Sequence, residues 1–166
     1  MTAPCPLLSL PADGCAVVVG AGGGIGAALA EALAASGRFQ AVHALRRADL
    51  DLEDETSIAA AAARLDAPPR LVIVATGLLH GQGVAPEKAL RAVDPAALLK
   101  SYAVNAVGPV LVAKHFTPLF PRTGKAVFAA LSARVGSLGD NRLGGWHGYR
   151  ASKAALNMLL RNVAIE

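Results

Sequence analysis

The chain has 166 residues, 54% of them hydrophobic and 17% charged, with a formal net charge of +4. That composition excludes a disordered chain, and the length fits one domain that buries roughly two thirds of its unfolded surface. The 16 basic side chains are scattered and form no block, which argues against a nucleic-acid surface.

Residues 1–13 carry three prolines and no hydrophobic period, and read as an N-terminal arm ahead of a domain spanning 14–166. Cys5 and Cys15, in a chain without a signal-peptide pattern, read as reduced thiols of a cytoplasmic protein. The longest uncharged run, Gly14 to Ala30, is too glycine-rich for a membrane span. Ala16–Val19 reads as a strand, and Gly24–Ser36 as a helix stopped by Gly37. Gln40–Leu45 is the second strand. Asp54–Leu65 is a helix with acids at its start and Arg64 at its end, matching the helix dipole. Between them, Asp49–Leu52 follows the second strand too closely for a parallel crossover of about a dozen residues, so it is either no full strand or a short edge piece.

Arg70–Ala75 is the third strand. A long helix from Pro95 to about Phe116 opens on Asp94 as N-cap, and Pro109 should kink it. Lys125–Leu131 is the fourth strand, and His147–Glu166 the last helix. Apolar strands alternating with helices predict an α/β fold, a doubly wound parallel sheet of Rossmann type. The chain stops at or inside an apolar helix, so the sheet should lack its C-terminal strands and the helix should expose Leu156, Leu159, Leu160 and Val163.

Gly20, Gly24 and Gly26 in VGAGGGIG lie between a strand and a helix, where glycines permit a sharp turn and close approach to a pyrophosphate. The turn holds no Lys-Ser or Lys-Thr pair, so a dinucleotide fits better than a P-loop nucleotide. About twenty residues on, Arg46 and Arg47 stand where a carboxylate would hold the ribose of NAD. Guanidinium groups there pair with a 2′-phosphate, which favours NADP, with NAD as the alternative. Asp49 or Asp51 remains a ribose contact if the loop is short. Tyr149 and Lys153, four apart in YRASK, share one helix face, and an ammonium beside a phenol favours the phenolate. The four histidines have no ligand spacing, so no metal is expected.

In VGAGGGIG, Asp51-Leu52, VATG (Val74–Gly77), NAVG (Asn105–Gly108), LSARVGS (Leu131–Ser137) and YRASK, the sequence resembles the short-chain dehydrogenases/reductases. It looks most like the subgroup with C-factor-like and sniffer-like carbonyl reductases. The resemblance implies an NADP-dependent oxidoreductase interconverting a small carbonyl and an alcohol. Tyr149 would be the general acid, Lys153 its partner and ribose ligand, and Asn105 the holder of a relay water. Coenzyme contacts would fall on Gly20, Gly24, Ile25, Gly26, Arg46, Asp51, Leu52, Ala75, Gly77, Asn105, Tyr149 and Lys153.

The family's serine pair is Ser132-Ala133 here, so Ser132, Ser137 or Tyr149 alone would steady the substrate oxygen, with Ser132 preferred. That departure, with the early stop, motivates the competing expectation of a catalytically silent dinucleotide-binding or signalling module, or an inactive fragment. The likeness further implies a homodimer or homotetramer built on the long helix and the YxxxK helix.

Overall fold

The computed structural model describes residues 7–166. Among these residues, β1 (Cys15–Val19), β2 (Ala41–Leu45), β3 (Pro69–Val74) and β4 (Val127–Ala130) form one parallel sheet in the order β2-β1-β3-β4. Around it run α1 (Gly24–Ala35), α2 (Glu55–Ala63), α3 (Pro95–Tyr102), α4 (Gly108–Phe116) and α5 (His147–Val163). The two faces of β1 show why the sheet is doubly wound. Cys15, Val17 and Val19 join a core with Ile58 and Ala61 of α2 and Val112 and Phe116 of α4. Ala16 and Val18, pointing the other way, join a second core with Ala30 and Leu33 of α1. Both faces are covered, which a run of five apolar strand residues requires. Cys15 is a free thiol that donates to the Ala67 carbonyl at 3.1 Å, and burial pushes its pKa up to about 11, a value suited to packing and not to reactivity.

Asp49–Leu52 is not a strand. It forms turns that tuck Leu50 and Leu52 under the α2/α4 core, both under 10% exposed, because the crossover from β2 is too short to lay another parallel strand. The expected long helix is interrupted before its proline. Residues Ala103–Val107 form a π turn between α3 and α4, in which the Gly108 N–H reaches back to the Ala103 carbonyl. Pro109 supplies no N–H to the Asn105 carbonyl, so the ladder widens there. A Cβ on Gly108 would lie 2.6 Å from Leu52 Cβ, so glycine lets the widened segment press against the turn below.

The helical run Pro95–Leu119 is long and apolar enough to cross a membrane by length and composition, with mean hydropathy 1.4. In the fold it is a core element. Val112 and Phe116 are fully buried, and Lys100 and Lys114 pair with Glu53 and Glu55, each at 2.6 Å.

From Leu7 onward the expected arm is docked. Leu10 is buried in the α1 core, Arg38 donates to the Leu8 and Leu10 carbonyls, and Asp13 takes a two-pronged contact from the buried Arg70 at 2.6 and 2.9 Å. Residues 1–6, with Cys5, lie outside the described residues. On α5 the expected exposed stripe is partly corrected: Leu156 is fully buried and Leu159, Leu160 and Val163 are half-buried, whereas Met158 is exposed. Helix α5 packs on α3, the π turn and α4, which takes Leu156 out of solvent.

Candidate active site

The C-terminal ends of β1 and β3 frame a cleft of about 420 Å³ lined by Gly20, Gly22, Gly23, Asp51, Leu52, Ala75, Thr76 and Gly77. Two glycines of the turn beside it are dictated by sterics. Gly20 has φ +92° and a Cβ there would meet Thr76 Cγ2 at 2.7 Å; a Cβ on Gly26 would meet the Gly20 carbonyl oxygen at 2.2 Å. Helix α1 thus starts against the strand that feeds it. Its N-cap is Gly23, which has no side chain to accept from the first turn, whereas Asp54 caps α2 at 2.9 Å and Asp94 caps α3 at 2.7 Å. The amides of Gly24, Ile25 and Gly26 therefore have no side-chain acceptor among the described residues, and they carry the positive end of the helix dipole. Thr76 lines the cleft, and its buried hydroxyl oxygen has no hydrogen-bond partner among the described residues.

The two arginines differ. Arg47 lines the cleft with Asp51 and is already paired, to Asp51 at 3.7 Å and Glu53 at 3.3 Å. The stem of Arg46 lies over the glycine turn, its Cγ 3.9 Å from where a Gly22 Cβ would be, and among the described residues no carboxylate pairs with its guanidinium. Arg46 is thus the positive charge available to an anion at the turn.

At the other end of the cleft, Gly77 stands over two buried side chains. A Cβ there would lie 3.6 Å from Lys153 Nζ and 3.9 Å from Asn105 Oδ1. The Asn105 amide accepts from Leu78 N–H at 2.7 Å and donates to the Leu78 carbonyl at 2.9 Å and to Ser152 Oγ at 3.1 Å. Ser152 in turn donates to the Tyr149 carbonyl at 2.9 Å. This chain of bonds ties the loop after β3, the π turn and the first turns of α5 into one unit. Both Asn105 side-chain donors are spent on protein, so the side chain acts here as a brace.

Tyr149 and Lys153 share a face of α5 as their spacing predicts, with Lys153 Nζ 5.9 Å from the Tyr149 ring centre. The expected acidification of the phenol is not seen. Burial raises the Tyr149 pKa above the usual phenol value, and burial lowers that of Lys153. The ammonium is drawn to the Leu131 carbonyl, to which it donates at 2.7 Å. A Cβ on Gly136 would meet Lys153 Cβ at 2.9 Å, so the turn after β4 is clamped on this lysine.

Neither candidate serine is hydrogen-bonded to Tyr149. Ser132 Oγ donates to Asn157 Oδ1 at 2.6 Å, two turns further along α5, and Ser137 Oγ accepts from Asp140 N–H at 3.3 Å within its own loop. Sequence reasoning does not single out Ser152 or Thr76, whereas it does point to Arg47. Ser152 had a signal, since it follows Tyr149 by three residues and lies beside Lys153 on the same helix.

A protein-family model described as enoyl-(acyl carrier protein) reductase matches residues 12–166. The C-signal of Myxococcus xanthus is 37% identical over 78 residues, 47% of either chain. The 1-hydroxy-2-glutathionyl-2-methyl-3-butene dehydrogenase of a Rhodococcus species is 32% identical over 110 residues, 66% of this chain and 46% of that one. A short-chain dehydrogenase/reductase of Burkholderia multivorans, solved with bound NADP, superposes with TM-score 0.72 at 26% identity, over 94% of this chain and 73% of that one. The chain belongs to the short-chain dehydrogenase/reductase family. It spans about half the length of these curated relatives.

Proposed function

We propose that this chain binds a nicotinamide dinucleotide, NADP before NAD, along the cleft from the glycine turn to Gly77, and reduces carbonyl compounds reversibly with Tyr149 as general acid. The observation that carries this reading is the convergence at one end of the cleft. Gly77, Asn105 and Lys153 meet there beside Tyr149, while the other end holds the first amides of a helix with a glycine N-cap, and Arg46, which no carboxylate among the described residues pairs. The orphaned Thr76 hydroxyl and the Cβ-free approach at Gly20 suit a polar, phosphate-bearing group lying on the turn.

When bound, the coenzyme supplies the hydride that adds to the carbonyl carbon. Tyr149 gives its proton to the carbonyl oxygen, and Lys153 holds a ribose hydroxyl and the resulting phenolate. Because the Asn105 side chain is committed, the relay water is assigned to the main-chain carbonyl that Pro109 leaves without an N–H. The half-buried Leu159 and Val163 on α5, beside α4, are the surface we assign to self-association.

NADPH is expected to raise the melting temperature more than NADH does, by mass action on the native state. In Arg46→Ala the NADPH advantage should shrink about 10- to 100-fold in Kd, the usual worth of a hydrogen bond to a charged group. Equal shifts from both coenzymes in the unaltered chain would remove the NADP preference. Thr76→Val should leave the free chain as stable or more so, because it deletes a buried unpartnered hydroxyl, and should weaken NADPH binding several-fold. Tighter binding in that variant would take Thr76 out of the coenzyme site.

A second reading, a silent dinucleotide-binding module, is favoured by the engagement of Ser132 with Asn157 and of Ser137 with Asp140. NADPH binding without NADPH oxidation across aldehydes and ketones would select it.

A further inference from the structure

Three consecutive residues ahead of α5 are left-handed: Gly144 at φ +63°, Gly145 at φ +64° and Trp146 at φ +51°. Glycine adopts that backbone freely; a tryptophan does so at a cost and stays there only where its surroundings hold it. Glu87, from the irregular segment between β3 and α3, is what holds it. Its main-chain carbonyl accepts the Trp146 N–H at 2.5 Å, and its carboxylate, on a residue 7% exposed, accepts the Gly148 N–H at 3.1 and 3.3 Å. The fit is close on both sides. A Cβ on Gly145 would meet the Glu87 carbonyl oxygen at 3.3 Å, and one on Gly148 would meet Glu87 Oε1 at 3.0 Å.

The result is an indole set edge-to-face on Tyr149, ring centres 6.5 Å apart and planes at 72°. Trp146 nevertheless remains 38% exposed. A tryptophan serving only as a packing anchor gains most by full burial, whereas this one is held in a strained backbone with much of its surface open beside the reactive phenol. On the same loop, Leu138 and Leu143 are 87% and 91% exposed, and Arg150 is turned back to the Gly145 and Val135 carbonyls. The loop thus offers two exposed leucines, and the Arg150 guanidinium is already occupied.

We propose that Trp146 is the specificity wall of the substrate site, stacking on a flat, uncharged, apolar substituent of the carbonyl compound, and that Glu87 is the positioning residue that keeps it there. The inference rests on the carbonyl-reductase reading above, so its test has a readout that does not need turnover. Trp146 is the sole tryptophan of the chain, and tryptophan emission therefore reports this position alone. With NADPH present, acetophenone should quench that emission saturably. The kcat/KM ratio for benzaldehyde over propanal should exceed one, fall about tenfold in Trp146→Ala, mainly through KM, and recover in Trp146→Phe. Glu87→Gln, which keeps the shape and loses the charge, should lower the same ratio and shift the emission to the red as the indole loosens.

Turnover with a ratio that Trp146→Ala leaves unchanged would overturn the wall and leave the reductase reading standing. Saturable quenching without NADPH oxidation would support the wall and sink the reductase reading. If Glu87→Gln keeps the ratio and the emission of the unaltered chain, Glu87 is not the positioning residue; if it fails to fold, the Trp146 pair still decides the wall.

Discussion

Tyr149→Phe is expected to lower kcat for carbonyl reduction by roughly 10²–10⁴-fold, the usual worth of a positioned general acid, with melting temperature and NADPH-induced stabilisation retained. The reason lies in what the substitution leaves in place. The Tyr149 main-chain carbonyl keeps its bond from Ser152, Lys153 keeps Leu131, and the ring still meets Trp146; only the hydroxyl and the proton it carries are lost. The direction of the pKa shift gives the prediction a second signature. Burial holds the phenol above its ordinary value near 10, so at neutral pH Tyr149 is protonated and ready to act as an acid. Reduction should therefore be insensitive to pH around neutrality and fall as pH rises through the phenol range. Alcohol oxidation, which needs the phenolate as base, should climb with pH through the same range. Coenzyme bound near Lys153 would move that range without reversing either slope. A Phe variant that reduces benzaldehyde at the unaltered rate, or an oxidation rate that falls as pH rises from 7 to 10, would remove Tyr149 from proton transfer.

Where the sequence was legible, one local rule decided the outcome. Asp54 and Asp94 cap their helices because carboxylates accept from first-turn amides, and Tyr149 and Lys153 share a face because helical residues four apart must. Gly20 and Gly26 stand at the turn because neither has room for a Cβ. What stayed hidden depended on two segments meeting. The direction of Ser132 is set by Asn157 on another element, beyond the end of β4, where strand alternation no longer governs it. The phenol's acidity depended on where the lysine head group went, and the Leu131 carbonyl 22 residues upstream captured it. The crossover length leaves Asp49–Leu52 open between no full strand and a short edge piece, and the choice is made by Leu50 and Leu52 dropping from a turn into a core that other segments build. Glu87 lies in an irregular stretch with no period to read, and its importance appears only when Gly145, Trp146 and Gly148 come to rest on it.

The second large effect concerns the glycine turn, where Gly24 and Gly26 should respond oppositely to the same change. In Gly26→Ala the new methyl would meet the Gly20 carbonyl oxygen at 2.2 Å and the carbonyl carbon at 2.7 Å. Both are backbone atoms that cannot rotate away, so α1 must lift off β1 and disturb the packing of Ala30 and Leu33 behind it. Overpacking of this kind costs about 3 kcal/mol or more, which for a domain of this length lowers the melting temperature by about 10 °C. At Gly24 an added methyl meets nothing within 4 Å, and alanine is the better helix former, so Gly24→Ala should be neutral or slightly stabilising in the free chain. If a pyrophosphate lies on the first turn of α1, that same methyl intrudes on it, and Gly24→Ala should bind NADPH at least tenfold more weakly while melting no lower than the unaltered chain. Calorimetry on the two variants, with and without NADPH, separates the glycine that the fold needs from the glycine that the ligand needs. Unweakened NADPH binding by Gly24→Ala would move the phosphates off this turn, and a Gly26→Ala chain as stable as its parent would deny the close contact between α1 and β1.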